Sequence, residues 1–277
     1  MVSSQPLGSR FDPRADQPPD SARGVVPTVL VDLDGVVWLA HQAIPGSVEA
    51  IARLRSAGSH VLFVTNNSAS TVEEQEEALA RIGVPAIGHV LTSAMAAAAL
   101  VTPGERVLVC GGPGVVQALE RRGATVVDDG PCDAVVVGFT RAFDYDIMRR
   151  AASAVHGGAR LIGTNDDATY PTPDGPIPGG GAILAAVQVA AGFMAVIAGK
   201  PYWPMAQLVR TILGEAATLG AVMVGDRPST DGLFARELGC RYAQVWSGVT
   251  PRGTVVDPVP DLAANDLGHV VSQLLGN

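Results

Sequence analysis

Three cysteines stand in a chain of 277 residues, Cys110, Cys132 and Cys240, an odd number set far apart. They supply neither a disulfide framework nor a zinc-ligand spacing, and a reducing cytosol is the simpler setting, so a cytoplasmic protein is expected. Five histidines are scattered without a His-x-x-x-His or His-x-His spacing, which leaves no imidazole cluster to hold a metal. Basic residues number 19 against 27 acidic ones, a net charge of -8, and they form no run. That balance argues against a nucleic-acid backbone or an anionic membrane as partner. Any phosphate the protein handles must be met by a metal or by a few placed donors. A bilayer-length apolar run is also missing. Residues 182–198 come nearest, but the stretch is short, carries Gln188 and is broken at Gly192. It reads as a buried helix followed by a buried strand over 194–198, and no transmembrane helix is expected. Residues 1–26 are rich in Pro, Ser, Asp and Arg and read as a disordered tail, not a signal peptide.

What is present is organised around Thr28-Val29-Leu30-Val31-Asp32-Leu33-Asp34-Gly35-Val36-Val37. An apolar, β-branched run without helical period predicts a strand buried on both faces, as in a parallel sheet. Asp32 and Asp34 are two apart, so at the strand end their side chains leave on the same side. Two carboxylates that close cannot both ionise cheaply unless a cation sits between them or one keeps a proton. A strand closing on an Asp-Gly turn would leave the same residues, so the rest of the chain decides.

Downstream, apolar strands and helices alternate. Residues 36–44 read as an irregular excursion, and a helix opens with Ser47 as its N-cap and ends before Gly58. A strand over 60–64 runs into Thr65-Asn66-Asn67-Ser68. Thr71 and Glu74 form a capping box for a helix to about residue 82, followed by a short strand and an alanine-rich helix over 89–101. Strands are expected at 106–110, 125–127, 134–137, 160–163, 194–198, 221–224 and 242–245. Helices are expected at 114–121, 145–156, from 182, at 204–213 and up to 238. The pattern predicts an α/β fold with parallel sheets. One loop, Thr164 to Gly180, is long enough to be functional in itself.

In parallel sheets ligands bind at the carboxyl ends of strands. Four apolar strands end there in polar groups: Asp32/Asp34, Thr65/Asn66, Lys200 and Asp226/Asp231. Together they supply acidic groups for a hard cation, donors for phosphoryl oxygens and a nucleophile, an oxygen set that suits Mg²⁺.

The four motifs, Asp-Leu-Asp-Gly-Val, Thr-Asn-Asn-Ser, Gly-Lys-Pro and Gly-Asp-Arg-x-x-Thr-Asp, resemble those of haloacid dehalogenase-superfamily phosphatases over about residues 27 to 250. Their order, with a large insertion between the second and third, is similar to the branch with an α/β cap, which includes 4-nitrophenyl, phosphoglycolate, glycerol-3-phosphate and pyridoxal phosphate phosphatases. The stretches Thr164-Asn165-Asp166-Asp167 and Pro178-Gly179-Gly180-Gly181 resemble the same branch. The likeness implies a Rossmann-like parallel-sheet core over 27–104 and 195–277, an inserted cap over 105–194, and a homodimer through the cap as the candidate assembly. It also implies a phosphomonoester hydrolase acting on a small phosphorylated metabolite. In that reading Asp32 is the nucleophile that becomes an aspartyl-phosphate, and Asp34 the acid and base. Mg²⁺ sits on the Asp32 carboxylate, the Asp34 carbonyl and the Asp226 carboxylate, with Asp231 in the outer shell. Thr65, the Asn66 amide and Lys200 hold the phosphoryl oxygens. The catalytic strands read only a phosphoryl and a metal, so Asn165, Asp167 and Tyr170 in the long loop are expected to select the leaving group. Two departures stand out: Pro228 where the branch has a bulky apolar residue, and the bulky Tyr202-Trp203 after Gly-Lys-Pro. Pro228 puts the place of Asp231 in question.

A rival reading comes from Val107 to Gly114, a strand entering a glycine-rich turn, with Asp128 and Asp129 after the next strand. It suggests a dinucleotide-binding protein using Gly111 to Gly114, but the Gly-x-Gly-x-x-Gly register fails at Gln117. A phosphotransferase on the same core shares the first half-reaction and is the mechanistic rival.

Overall fold

The computed structural model describes residues 26–170, 172 and 174–276, so the tail read at the N-terminus lies outside the described residues except for Val26. In chain order the strands are β1 (Val29–Val31), β2 (Trp38–Leu39), β3 (Gln42–Ala43), β4 (Val61–Thr65) and β5 (Val90–Thr92). Then come β6 (Arg106–Cys110), β7 (Thr125–Val127), β8 (Ala134–Val137), β9 (Arg160–Gly163), β10 (Thr169–Tyr170), β11 (Ile177–Pro178) and β12 (Val196–Ile197). The last three are β13 (Val222–Gly225), β14 (Arg241–Val245) and β15 (Leu262–Ala264). Interleaved are the helices α1 (Ser47–Ser56), α2 (Val72–Arg81), α3 (Ser93–Ala99), α4 (Pro113–Arg122) and α5 (Tyr145–His156). They continue with α6 (Gly180–Ala191), α7 (Trp203–Leu213), α8 (Glu215–Leu219), α9 (Leu233–Leu238) and α10 (Leu267–Leu275). The described chain forms two compact units, one of residues 66–74 and 92–205, the other of 26–65, 75–91 and 206–276.

The second of these is built on a six-stranded sheet in the order β15-β14-β13-β1-β4-β5. β1 pairs parallel with β13 on one side and β4 on the other, with Val31 opposite Val224 and Phe63. Every residue of β1, β4 and β13 is buried, as their unbroken apolar runs require in a sheet covered on both faces. Each Val, Leu, Phe or Met among them contributes about 1.5–3 kcal/mol by leaving water. The strand order reverses across β1, the switch point at which open parallel sheets bind ligands beyond their carboxyl ends. Residues 36–44 are not irregular: β2 and β3 pair antiparallel around Ala40 and His41, both at positive φ. A two-residue turn of that hand is normally marked by Asn or Gly, so Ala-His gave no signal. At α1 the N-cap is Gly46, at φ 83°, and the Ser47 hydroxyl instead donates to the Val37 carbonyl at 2.8 Å.

The other unit carries a parallel five-stranded sheet, order β12-β9-β8-β6-β7. Leu108, Val135, Val137 and Leu161 of the sheet pack with Ile183, Leu184 and Val187 of α6 and Val155 of α5. The capping box forms as expected: Thr71 N–H donates to Glu74 Oε2 at 2.8 Å and Glu74 N–H to Thr71 Oγ1 at 3.2 Å. The strand before Lys200 corrects the reading from sequence. It joins this sheet, with Val196 opposite Ile162, and Met194 and Val196 are exposed. Its apolar run belongs to a sheet edge and not to a buried strand, so three of the four polar strand ends, not all four, share one sheet. No helix among the described residues is long and apolar enough to cross a membrane.

Candidate active site

The parallel pairing of β1 and β13 fixes the acidic residues. Asp32 leaves β1 one residue past Val31, its N–H donating to the Val224 carbonyl at 3.0 Å, and Asp226 follows directly on Gly225. A tight turn over 228–232 then returns Asp231, whose N–H donates to the Arg227 carbonyl at 2.7 Å. Asp32, Asp226 and Asp231 each offer a carboxylate oxygen within 4.8 Å of the others. Pro228 stands at the start of that turn, where a backbone N–H has no intrahelical partner to lose, and Asp231 reaches the cluster fully buried. Asp34 is not among the three clustered carboxylates. Its Oδ1 accepts the indole N–H of the buried Trp38 at 3.1 Å, which orients the carboxyl group.

Glycines make the room for these acids, a feature missed from the sequence. A Cβ on Gly248 would lie 1.9 Å from Asp226 Oδ2 and one on Gly35 2.6 Å from it, while a Cβ on Gly225 would lie 2.2 Å from Asp231 Cγ. Asp226 Oδ2 also accepts the Val249 N–H at 2.6 Å, and its main-chain carbonyl accepts Gln244 Nε2 at 2.9 Å. Gln244 in turn accepts the hydroxyl of Tyr242. Burial first, then the charges of Asp231, Asp226 and Asp32, push the Tyr242 phenol far above its ordinary range, so it stays a donor. Only the spacing Asp226-Arg227-x-x-x-Asp231 was legible; Gly248, Gln244 and Tyr242 carry no motif.

This donor set fits a divalent cation. Two of the carboxyl groups are buried, Asp226 and Asp231 at 2% and 0% exposure, and acidic oxygens gathered this closely are the donor type that hard cations take. Oxygens within 4.8 Å of one another lie in the span that one hard cation with ligands at about 2.0–2.6 Å can bridge. Asp231, expected in an outer shell, stands with Asp32 and Asp226 as the third carboxylate.

Of the other residues singled out in the sequence, Thr65 is buried at the end of β4, and Asn165, Asp167, Tyr170 and Lys200 belong with Asn66 to the five-stranded unit. Asn66 Nδ2 donates to Asp167 Oδ2 at 2.9 Å and to the Lys200 carbonyl at 3.0 Å, and Lys200 N–H donates back to Asn66 Oδ1 at 2.8 Å. The Asn66 carbonyl accepts Asn165 Nδ2 at 2.8 Å and Ser93 Oγ at 2.7 Å. Gly199 is required here because a Cβ would lie 2.5 Å from Asn66 Oδ1. Tyr170, on the small hairpin of β10 and β11, is half-buried and stacks on Phe139 at 5.5 Å. Tyr202 reaches back to Asp166, its hydroxyl donating to Oδ2 at 2.5 Å, and burial followed by that bond pushes its phenol up to about 12.

The glycine-rich turn at 111–114 is filled by the chain itself. A Cβ on Gly112 would meet the Ala69 carbonyl at 2.7 Å, one on Gly114 the Ser70 carbonyl at 2.1 Å, and Gly114 N–H donates to the Ala69 carbonyl. Gly112 and Gly114 make room for residues 68–70.

Comparison with known proteins identifies the family. A model of haloacid dehalogenase-like hydrolases matches residues 29–125, and a second, HAD-hydrolase-like, matches residues 197–270. The chain is 33% identical to an acid sugar phosphatase of Staphylococcus saprophyticus over 88% of its own length and 96% of that protein. A p-nitrophenyl phosphatase structure from Archaeoglobus fulgidus superposes with a TM-score of 0.83 at 29% identity, covering 89% of this chain and 98% of that one. A glycerol phosphate phosphatase from Mycobacterium tuberculosis, solved in complex with magnesium, gives 0.77 at 32% identity over 87% and 74%. The chain belongs to the haloacid dehalogenase-like hydrolases.

Proposed function

We propose that the chain is a magnesium-dependent phosphatase of small phosphomonoesters that works through an aspartyl-phosphate. The observation that carries this reading is the convergence of Asp32, Asp226 and Asp231 at the carboxyl end of the central strand pair, with Thr65 ending the neighbouring strand. The enzyme class rests on family membership and on the phosphatase names of relatives matched over most of their length.

Asp32 attacks phosphorus and Asp34 gives its proton to the departing ester oxygen. Asp34 then takes a proton from water, which attacks the phosphorus of the aspartyl-phosphate and frees inorganic phosphate. Trp38, bonded to Asp34 Oδ1, holds that carboxyl group in one orientation for both transfers. Thr65, the Asn66 main-chain N–H and Lys200 bind the phosphoryl oxygens. Asp32, Asp226 and the Asp34 carbonyl would hold a magnesium ion, with Asp231 beside them, and the bound ion would supply positive charge to offset repulsion between nucleophile and phosphate. Glycerol phosphate, phosphoglycolate, nucleotide and aryl phosphates are the candidate substrates. The inserted unit supplies substrate choice, with Tyr170 on its hairpin as the residue that faces this task. Its exposed apolar edge, Val189, Phe193, Met194 and Val196, supports a homodimer through that unit.

The test is released phosphate from a panel of these esters, with Mg²⁺ and with excess chelator. Activity should vanish on chelation and return with Mg²⁺, and Asp32→Asn should lower turnover by several orders of magnitude in a folded protein. Phosphate release by folded Asp32→Asn at the parental rate would refute the covalent mechanism.

A further inference from the structure

Asn165 and Asp167 sit in the loop where sequence reasoning places the reading of the leaving group, but their polar atoms are committed elsewhere. Asn165 is 4% exposed. Its amide donates to the Asn66 carbonyl at 2.8 Å and lies 3.4 Å from Thr164 Oγ1, while its Oδ1 accepts the Asp167 N–H at 3.2 Å. Asp167 Oδ2 accepts from Asn66, whose second amide contact is the Lys200 carbonyl. Asn66 thus pairs with the Lys200 main chain in both directions, as a neighbouring strand would, and the loop after β9 holds Asn66 from two sides.

The surroundings reinforce the tie. Thr164 Oγ1 is bonded to Ser68 Oγ at 2.9 Å, both fully buried, and Gly199 N–H donates to the Thr164 carbonyl at 2.7 Å. The loop lies directly on the start of α6: a Cβ on Gly179 would meet the Asp167 carbonyl at 2.4 Å and one on Gly181 the Asp166 carbonyl at 2.3 Å. Tyr202, two residues past Lys200, binds Asp166. The turn 199–202 and the loop 164–167 are therefore joined at Thr164, at Asp166 and, through Asn66, at Asn165 and Asp167. Lys200 itself is 1% exposed and is the only lysine in the sequence.

We propose that Asn165 and Asp167 are positioning residues that hold Lys200 in place through Asn66, and that they do not read the leaving group. This rests on the reading of Lys200 as a phosphoryl-binding group. A pure support for α6 would explain the glycine contacts but not why the loop's side chains end on Asn66 and, through it, on Lys200.

The test uses Asp167→Ala and Asn165→Ala in the full chain, with Asn165→Asp as the milder change if Asn165→Ala does not fold. Because Lys200 is the sole lysine, acetylation by an amine-reactive ester, followed by peptide mass, reports on that one ε-amine apart from the N-terminus. Well below the melting temperature, the variants should acetylate Lys200 several-fold faster than the parent. Their kcat/KM should fall by about tenfold to a hundredfold, the scale of a misplaced binding group. The fall should be equal across aryl, glycerol, nucleotide and sugar phosphates, since all present the same phosphoryl group. A changed order of preference among the esters would overturn the proposal in favour of leaving-group reading. Parental acetylation rates would overturn it in favour of a support for α6. A parent inactive on every ester would defeat the phosphatase reading instead, and the acetylation rates would still decide the positioning role.

Discussion

Gly248→Ala adds one methyl group and changes no titratable residue, yet it should disable the acidic site. The new Cβ would stand 1.9 Å from Asp226 Oδ2, where ordinary contact begins near 3.4 Å, so about 1.5 Å must be found. Asp226 cannot readily retreat: it is 2% exposed, Gly35 closes on the same oxygen, and Val249 N–H holds that oxygen at 2.6 Å. Metal–oxygen distances tolerate about 0.2 Å. A misplacement of about 1 Å at a reacting centre costs roughly a hundredfold, or about 2.7 kcal/mol. A fall of at least that size in kcat/KM is expected, with the Mg²⁺ concentration for half-activation raised, while overpacking costs about 1–3 kcal/mol of stability. Rates across a Mg²⁺ titration and thermal melts with and without Mg²⁺ measure both. Gly220→Ala is the control, because its nearest non-neighbour atom is the Ala216 carbonyl at 3.5 Å. Parental rates and parental Mg²⁺ dependence in Gly248→Ala would refute the packing argument.

Asp226→Asn should abolish the rise in melting temperature on adding Mg²⁺, as followed by differential scanning fluorimetry. Burial pushes the Cys110 and Cys240 thiols up to about 12 and about 11 from 9.0. The folded state therefore favours their neutral forms. That contribution to stability is intact below pH 9 and is lost as pH rises through 11–12, and native protein at pH 8 should alkylate at these sites far more slowly than unfolded protein. Gly114→Ala should lower the melting temperature through its 2.1 Å clash with the Ser70 carbonyl, and NAD⁺ titrated into the parent should give no saturable signal. Met194→Asp with Val196→Lys should shift sedimentation toward monomer; a parent already monomeric would reject the homodimer.

The α/β alternation, most element positions and the order of the four motifs were readable because buried parallel strands appear as short apolar runs that end on polar groups. Where reading failed, the cause was local. The run at 194–198 carries no mark to separate a sheet edge from a sheet centre, and only its pairing with β9 decides it. Ala40-His41 turns the chain without the residues that usually announce such a turn. Ser47 had the chemistry of a cap but spends its hydroxyl on Val37. The segment after 250, dense in Pro and Gly, concealed β15 and α10, although Asp266 caps the latter in the ordinary way. At the site, the carboxylates were visible as motifs. Gly35 and Gly225 stood inside those motifs, but the atoms they make room for did not show, and Gly248, which faces Asp226, carries no motif at all.

The pairing of β1 with β13 also governs how the molecule comes into being. Val29 and Val222 are neighbours in the sheet but roughly 190 residues apart in the chain. At about 5–20 residues per second, a ribosome takes on the order of 10–40 s to deliver the partner strand. Throughout that interval the Val29–Val31 edge meant for β13 stands open, a short apolar template for wrong pairing. The five-stranded sheet, whose strands all lie between residues 106 and 197, has all its partners available sooner and is free to fold while β1 waits. High contact order on one side of β1 and none of that delay on the other makes the nascent chain, more than the finished fold, the stage at which this strand is open to wrong pairing.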